Sequence, residues 1–343
     1  MKIVISSKSY YPLLGGSIVF ASMLGKAFSR AGHEVIIITR TPGSCDNSTL
    51  PILRNSSFKE LINLATSTDL VLQIDASWRD IIPFLARGVL WFPTVHRGKP
   101  AYSGLGIKQS LRLALESLGY RTGNTIGVAD YVTKSWGLNT EPIPNPYDDE
   151  VFHPPDPSIE RDIDVLFVGR VTRDKGVFLL LEALDALKKS VRLKRVAFVG
   201  IGPALEELQR DAKRFQDDFE ILFPGLVDSY GVADWMKRSR VLAFPTTPDW
   251  LEASPLTPLE ATACGCKVVA ADIGGTRENV SPSHWMVKSG DVTALYKGLL
   301  AALEDPANEI DEPTLKFLSI PSLQNIATRY LERFQSAFES GVH

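Results

Sequence analysis

The 343-residue chain is poor in cysteine, methionine and histidine, with three, four and five of each. Cys45, Cys264 and Cys266 cannot build a disulfide framework. Cys264-Gly265-Cys266 has the spacing of half a metal site and lacks the other half, so the pair reads as small buried residues beside a strand. No stretch reaches the roughly 18 apolar residues of a membrane span. The longest candidate, residues 81–95, is broken by Arg87 and two prolines. The start, Lys2-Ile3-Val4-Ile5-Ser6, is a first strand in pattern and not a secretory leader, so a soluble cytoplasmic protein is expected. Two nucleotide signatures are missing as well. Gly15-Gly16 has no GxGxxG around it, Gly200-Ile201-Gly202 has no third glycine, and there is no GxxxxGK[ST]. Hydride transfer and Walker-type hydrolysis lose their main support. A net charge of -3 excludes a generally basic surface, and no nucleic-acid partner is expected.

What is present is an ordinary globular composition, 44% hydrophobic and 22% charged. The length suits about two domains. Residues 1–150 hold 15 basic and 12 acidic side chains; the remainder holds 22 and 28. A short apolar run, the Gly15-Gly16 loop, a helix pattern from Ile18 to Phe28 ending at Gly32, and a second apolar run at 34–40 form a strand-helix-strand unit. Further strands are expected at 69–75, 88–95 and 125–128. A helix is expected at 107–118, burying Ile107, Leu111, Ala114, Leu115 and Leu118. Residues 141–156 carry four prolines and the acidic triplet Asp148-Asp149-Glu150, the composition of a linker. Near-continuous apolar strands follow at 163–170, 195–200, 220–223, 241–245 and 267–272, alternating with helices at 176–190, 204–215, 231–238 and 258–263. Such runs suit parallel strands covered on both faces. The expectation is α/β: two Rossmann-like doubly wound domains facing across a cleft, with ligands at the strand carboxyl ends.

Residues 249–265, DWLEASPLTPLEATACG, carry the most chemistry. Thr257-Pro258-Leu259-Glu260 matches a capping box with proline at the first helical position, which predicts a helix starting there. Its free N–H groups and positive end suit a phosphate. Glu260 has two readings, a cap for that helix or a ligand group; Glu252 is either a ligand group or a solvated loop residue. The strand at 163–170 ends on Gly169-Arg170, followed by Arg173, Asp174 and Lys175 before a helix. Cations there oppose the helix dipole unless an anion is bound. His96 follows the strand at 88–95, beside Arg97 and Lys99. Asp162-Ile163-Asp164 has the form of a metal-binding DxD, but it opens a strand, the wrong end for such a site.

Glu252-x7-Glu260, with FVGRVTRDKG, VGIGPALEEL and PIPNPYDDEVF, resembles glycosyltransferase family 4, the retaining nucleotide-sugar transferases of GT-B fold. The match covers nearly all of the C-terminal half. In the N-terminal half it rests on Gly15-Gly16, His96 and the layout. The resemblance implies an acceptor-side domain at 1–150, a donor-binding domain at 151–320, and a segment at 321–343 whose helix crosses back to the first. It implies that Arg170 and Lys175 bind the donor diphosphate and that Glu260 holds the ribose. It gives Glu252 the transferred sugar, leaves Leu256 and Thr257 N–H groups on the phosphates, and sets Gly202 and Leu226 near the base. Gly15 and Gly16 would let their loop approach the phosphates closely, Gly169 would belong to the donor site, and His96 would reach the sugar from the acceptor side. Two departures stand out. Glu252-Ala253-Ser254-Pro255 replaces the family's Glu-Gly-Phe-Gly, and Asn145-Pro146 replaces Asn-Gly. Pro255 has no N–H to donate, so phosphate contacts would come from Ser254 and later amides.

The implied activity is transfer of a hexose from a nucleotide-diphosphate sugar, UDP-linked and glucose by preference, to an acceptor hydroxyl in polysaccharide or glycan synthesis. No metal or other cofactor is implied. Alternatives of other classes are a GT-B nucleotide-sugar epimerase and an inactive nucleotide-sugar binding subunit. The acceptor side offers one hint. Helix 107–118 carries Lys108 and Arg112, with Arg97, Lys99 and Arg121 nearby. It reads either as a solvated helix packed on its own sheet, or as a basic surface for a lipid-linked acceptor at the inner face of a membrane.

Overall fold

The structure is a computed structural model describing the chain except residues 14, 44–48, 75–77, 100–105, 123, 307–309 and 341–343, and except the side chains of Ile107, Arg112 and Thr122. Cys45, named above, lies outside the described residues. Two compact units emerge: Met1–Pro146 with Leu323–His343, and Tyr147–Ser322.

The first unit runs β1 (Lys2–Ser7), α1 (Gly16–Arg30), β2 (Glu34–Thr39), β3 (Ile52–Arg54), α2 (Phe58–Ala65), β4 (Leu70–Ile74), α3 (Trp78–Leu85), β5 (Leu90–Val95), α4 (Ile107–Thr122), β6 (Ile126–Gly127) and α5 (Asp130–Trp136). Its sheet is parallel in the order β3-β2-β1-β4-β5-β6. The first crossover goes one way and the later ones go the other, so the order reverses beside β1, where doubly wound sheets open a ligand crevice. The first element needs no special signal: Ile3, Val4 and Ile5 are wholly buried, with α1 packed on β1 and Val4 on the opposite face against α2 and α3.

The second unit runs β7 (Ile163–Val168), α6 (Val177–Leu187), β8 (Arg195–Val199), α7 (Leu205–Ala212), β9 (Glu220–Gly225), α8 (Ser229–Lys237), β10 (Ser239–Phe244), α9 (Leu256–Ala263), β11 (Lys267–Asp272), β12 (Trp285–Lys288), α10 (Val292–Glu304) and α11 (Glu312–Ser319). Its sheet, β12-β11-β10-β7-β8-β9, is parallel too. One core layer packs α6 and α10 on one face; a second packs α8 and α9 on the other. Burial on both faces explains why these strands read as unbroken apolar runs. Cys264 and Cys266 are buried, and the Cys266 thiol donates to the Met236 carbonyl at 2.9 Å. Burial pushes the Cys266 thiol up to about 12, so it stays neutral.

The last helix, α12 (Leu323–Ser340), belongs to the first unit. Ile326, Tyr330 and Phe334 recur every four residues and are buried. Phe334 meets Phe28 of α1 and Phe92 of β5 edge-on, with ring centroids 5.7 and 4.6 Å apart.

Three readings are corrected. The helix of residues 249–265 begins at Leu256, not at Pro258, and its N-cap is Pro255 with no side-chain cap. Thr257 is therefore inside the helix. Three elements between residues 51 and 85 are not among those expected: β3 is three residues long, α2 is short, and α3 has an internal proline, Pro83. Helix α4 forms as expected but is turned around. Leu111, Ala114, Leu115 and Leu118 face outward, while Leu113, Glu116, Gly119 and Tyr120 are buried. Gly119 explains the choice, because a Cβ there would lie 2.5 Å from the Trp78 ring. Periodicity finds an apolar face without saying what covers it.

Candidate functional site

In the second unit the sequence-predicted residues gather at the carboxyl ends of the strands. Gly169 follows β7, Gly202 lies just past β8, Leu226 follows β9, and the Glu252 loop follows β10. The loops crowd so closely that glycine is required. A Cβ on Gly200 would stand 1.9 Å from the Gly169 carbonyl oxygen, and one on Gly202 2.2 Å from that of Val171. Gly176, at φ +74°, has the Pro245 carbonyl oxygen 2.0 Å from where its Cβ would be. That contact brings the turn carrying Lys175 against the end of β10.

Lys175 and Glu252 meet there. The Lys175 ammonium lies 2.5 Å from Glu252 Oε1, and both side chains are largely buried. The same oxygen accepts from Thr246 Oγ1 at 2.9 Å. Trp250 completes the cluster, with its ring centroid 5.3 Å from Lys175 Nζ and 5.5 Å from Arg170 Cζ. Two cations beside one aromatic ring make this loop cluster positive, partly offset by Glu252. Sequence reasoning missed Trp250 and Thr246. The available signal was a tryptophan in a loop straight after a strand, where burial in a core is not expected.

Ser254 does not stand free for a ligand. It is buried and exchanges hydrogen bonds with Asn279, whose Nδ2 also donates to the Pro255 carbonyl at 3.1 Å. Asn279 thus pins the loop that enters α9. Gly274, at φ +57°, lies against the same loop: a Cβ there would be 2.1 Å from the Glu252 carbonyl oxygen. Leu256 and Thr257 occupy the first turn of α9, where amide groups have no helical acceptor.

Glu260 is the fifth residue of α9, so the capping reading fails. Its carboxyl makes no side-chain hydrogen bond or ion pair among the described residues. Burial first, and the Asp148 charge second, push it up to about 7. A partly buried carboxyl with unused acceptors suits donation from a ligand's hydroxyls. The DxD pair sits at the opposite end of the sheet. Asp162 accepts from Arg195 and Arg238 at 2.6 to 3.0 Å, and Asp164 from Arg240 at 3.0 Å. These carboxylates are held by arginines as an ion-pair hub that joins the starts of the strands.

In the first unit, Gly15 caps α1 and Gly16 begins it. Neither would meet an atom within 4 Å if it carried a Cβ, so the space beside both is open. His96 follows β5. Its Nε2 lies 2.9 Å from Thr94 Oγ1, and its ring meets Phe20 of α1 edge-on at 4.5 Å. Phe20 is one turn from Gly16, so the loop and His96 line the same end of this sheet.

This fold has close counterparts. Over 98% of its length the chain superposes on Anabaena Alr3699/HepE in complex with UDP-glucose, covering 100% of that chain at TM-score 0.79 and 18% identity. It likewise matches the glycosyltransferase from Rickettsia africae ESF-5 over 98% of its length and 99% of that chain, at TM-score 0.78 and 16% identity. The architecture is that of the GT-B glycosyltransferases. The sequence then narrows the class. Residues 162–305 match the family described as glycosyl transferases group 1. The putative colanic acid biosynthesis glycosyltransferase WcaL of Salmonella typhimurium is 28% identical over 170 residues, 48% of this chain and 41% of that protein. The D-inositol 3-phosphate glycosyltransferase of Xylanimonas cellulosilytica is 36% identical over 114 residues, 33% and 27%. The chain thus spans well under half the length of these curated relatives.

Proposed function

We propose that the chain is a retaining glycosyltransferase that moves a hexose from a nucleotide-diphosphate sugar to an acceptor hydroxyl in polysaccharide or glycan synthesis. The observation that carries it is the Lys175–Glu252 pair beside Arg170 and Trp250, one helical start away from Glu260. Cations, unsatisfied amides and a hydroxyl-accepting carboxyl lie at the carboxyl ends of one sheet's central strands, matching the three parts of such a donor. UDP is the preferred nucleotide; the Anabaena protein of the same fold is described with UDP-glucose.

The proposed chemistry follows from charge. Breaking the bond from the anomeric carbon to the phosphate oxygen leaves negative charge on the diphosphate and positive charge on the sugar. Arg170, Lys175 and the Leu256 and Thr257 amides stabilise the first. The acceptor oxygen adds on the face the phosphate leaves, and its proton passes to the departing phosphate oxygen. Glu252 accepts from the sugar hydroxyls once Lys175 turns to the phosphate, and Glu260 accepts from the ribose. Leu226 and Gly202 flank the base. Gly15 and Gly16 are donor-side residues whose loop admits a phosphate closely, and His96 approaches the sugar from the acceptor side. No metal is required, since the cations supply the charge.

A donor screen tests this: thermal shift with UDP, GDP and ADP sugars, then transfer measured with EDTA present. Stabilisation by one family of sugar nucleotides and undiminished transfer in EDTA support the reading. Dependence on a divalent metal, or an inverted anomeric configuration in the product, would overturn those parts of it.

A further inference from the structure

Helix α4 presents an apolar stripe to solvent. Leu111, Leu115 and Leu118 are 61%, 50% and 60% exposed. Their spacing puts them on one face of a helix about 24 Å long. Exposed Lys108 stands one turn before the stripe and exposed Arg121 one turn after it. The helix has a single acidic residue, Glu116. It is buried on the opposite side, where Arg97 Nη2 donates to it at 2.7 Å. The inward face is fixed by Leu113, by Gly119 against Trp78 and Trp91, and by Tyr120, edge-on to Trp136 at 4.9 Å. The leucines therefore cannot turn inward without losing that packing.

We infer that α4 is an interfacial helix that lays Leu111, Leu115 and Leu118 into the surface of an anionic lipid bilayer. An apolar centre flanked by cations, with no carboxylate among its described exposed side chains, is the pattern that favours negatively charged headgroups. A second copy of the chain fits less well. A two-fold contact over this stripe would set Lys108 and Arg121 against the same cations, with no acid to offset them. The inference stands apart from the donor reading, none of whose residues lies on α4.

The test is flotation of the full chain with phosphatidylcholine vesicles with and without about a third phosphatidylglycerol. Binding to the anionic vesicles, weakened by salt, is expected. Leu111→Ser with Leu115→Ser and Leu118→Ser should lower the bound fraction at least tenfold, without changing the unfolding temperature or UDP binding. Lys108→Glu with Arg121→Glu should remove the preference for anionic lipid. Absence of flotation, or equal flotation of the triple-serine variant, overturns the inference. So does a concentration-dependent dimer in sedimentation velocity that the triple-serine change abolishes, since it assigns the stripe to a second copy.

Discussion

The Lys175 ammonium and the Glu252 carboxylate are 2.5 Å apart across 77 residues of sequence, with Thr246 donating to the same oxygen. Removing one partner leaves a largely buried charge, which costs about 3–5 kcal/mol. Lys175→Met and Glu252→Gln should each lower stability in urea unfolding. The double substitution should recover most of it while transfer stays at least ~100-fold down, the scale for losing a group that stabilises developing charge. A double variant as unstable as its parents would mean the two side chains are not coupled.

Glu260 makes stability depend on pH in an unusual direction for a carboxylate. Its folded value is raised to about 7, so the fold prefers the protonated form. Below the ordinary carboxyl range both folded and unfolded chains are protonated and the residue costs nothing. As pH rises through 7 the folded chain must hold a buried charge, at a cost of up to about 3 kcal/mol. Glu260→Gln should therefore match the parent near pH 4 and exceed it in unfolding temperature at pH 8. Asp148→Asn should shift the crossover to lower pH. A constant difference across that range contradicts the assignment. If the carboxylate accepts from the ribose, donor KM in the parent should also rise as pH falls below 7.

Two glycines separate structural need from ligand need. Gly274→Ala would press a Cβ against the Glu252 carbonyl, so both stability and kcat/KM should fall. Gly15→Ala meets nothing within 4 Å. It should leave the unfolding temperature unchanged and raise donor KM, because the space it fills is the ligand's. Unchanged kinetics in Gly15→Ala would remove that loop from the site.

Much of this was legible in the order of residues, and the failures are instructive. Parallel strands read as unbroken apolar runs, so the second unit's alternation of β7 to β11 was plain. The loops after them showed their charge because nothing apolar competes there. The Thr257-x-x-Glu260 spacing looked like a capping box and is not one. The box with both bonds made is Ser57-x-x-Glu60 at the start of α2: Ser57 N donates to Glu60 Oε2 at 2.7 Å, and Glu60 N to Ser57 Oγ at 3.3 Å. A spacing proposes a cap; the backbone angle of the residue before it decides. The orientation of α4 was hidden for a related reason, since Gly119 against Trp78 is a contact distant in sequence. Trp250 was passed over because an aromatic carries no charge of its own, yet it is what Arg170 and Lys175 both rest against.

Calorimetric titration of UDP, in EDTA, into the parent chain and the Arg170→Ala and Lys175→Ala variants tests the central claim most directly. The account predicts saturable 1:1 binding to the parent, weakened at least tenfold in each variant with the fold retained. Equal affinity in all three chains, or no binding of UDP, GDP or ADP to the parent, would contradict it.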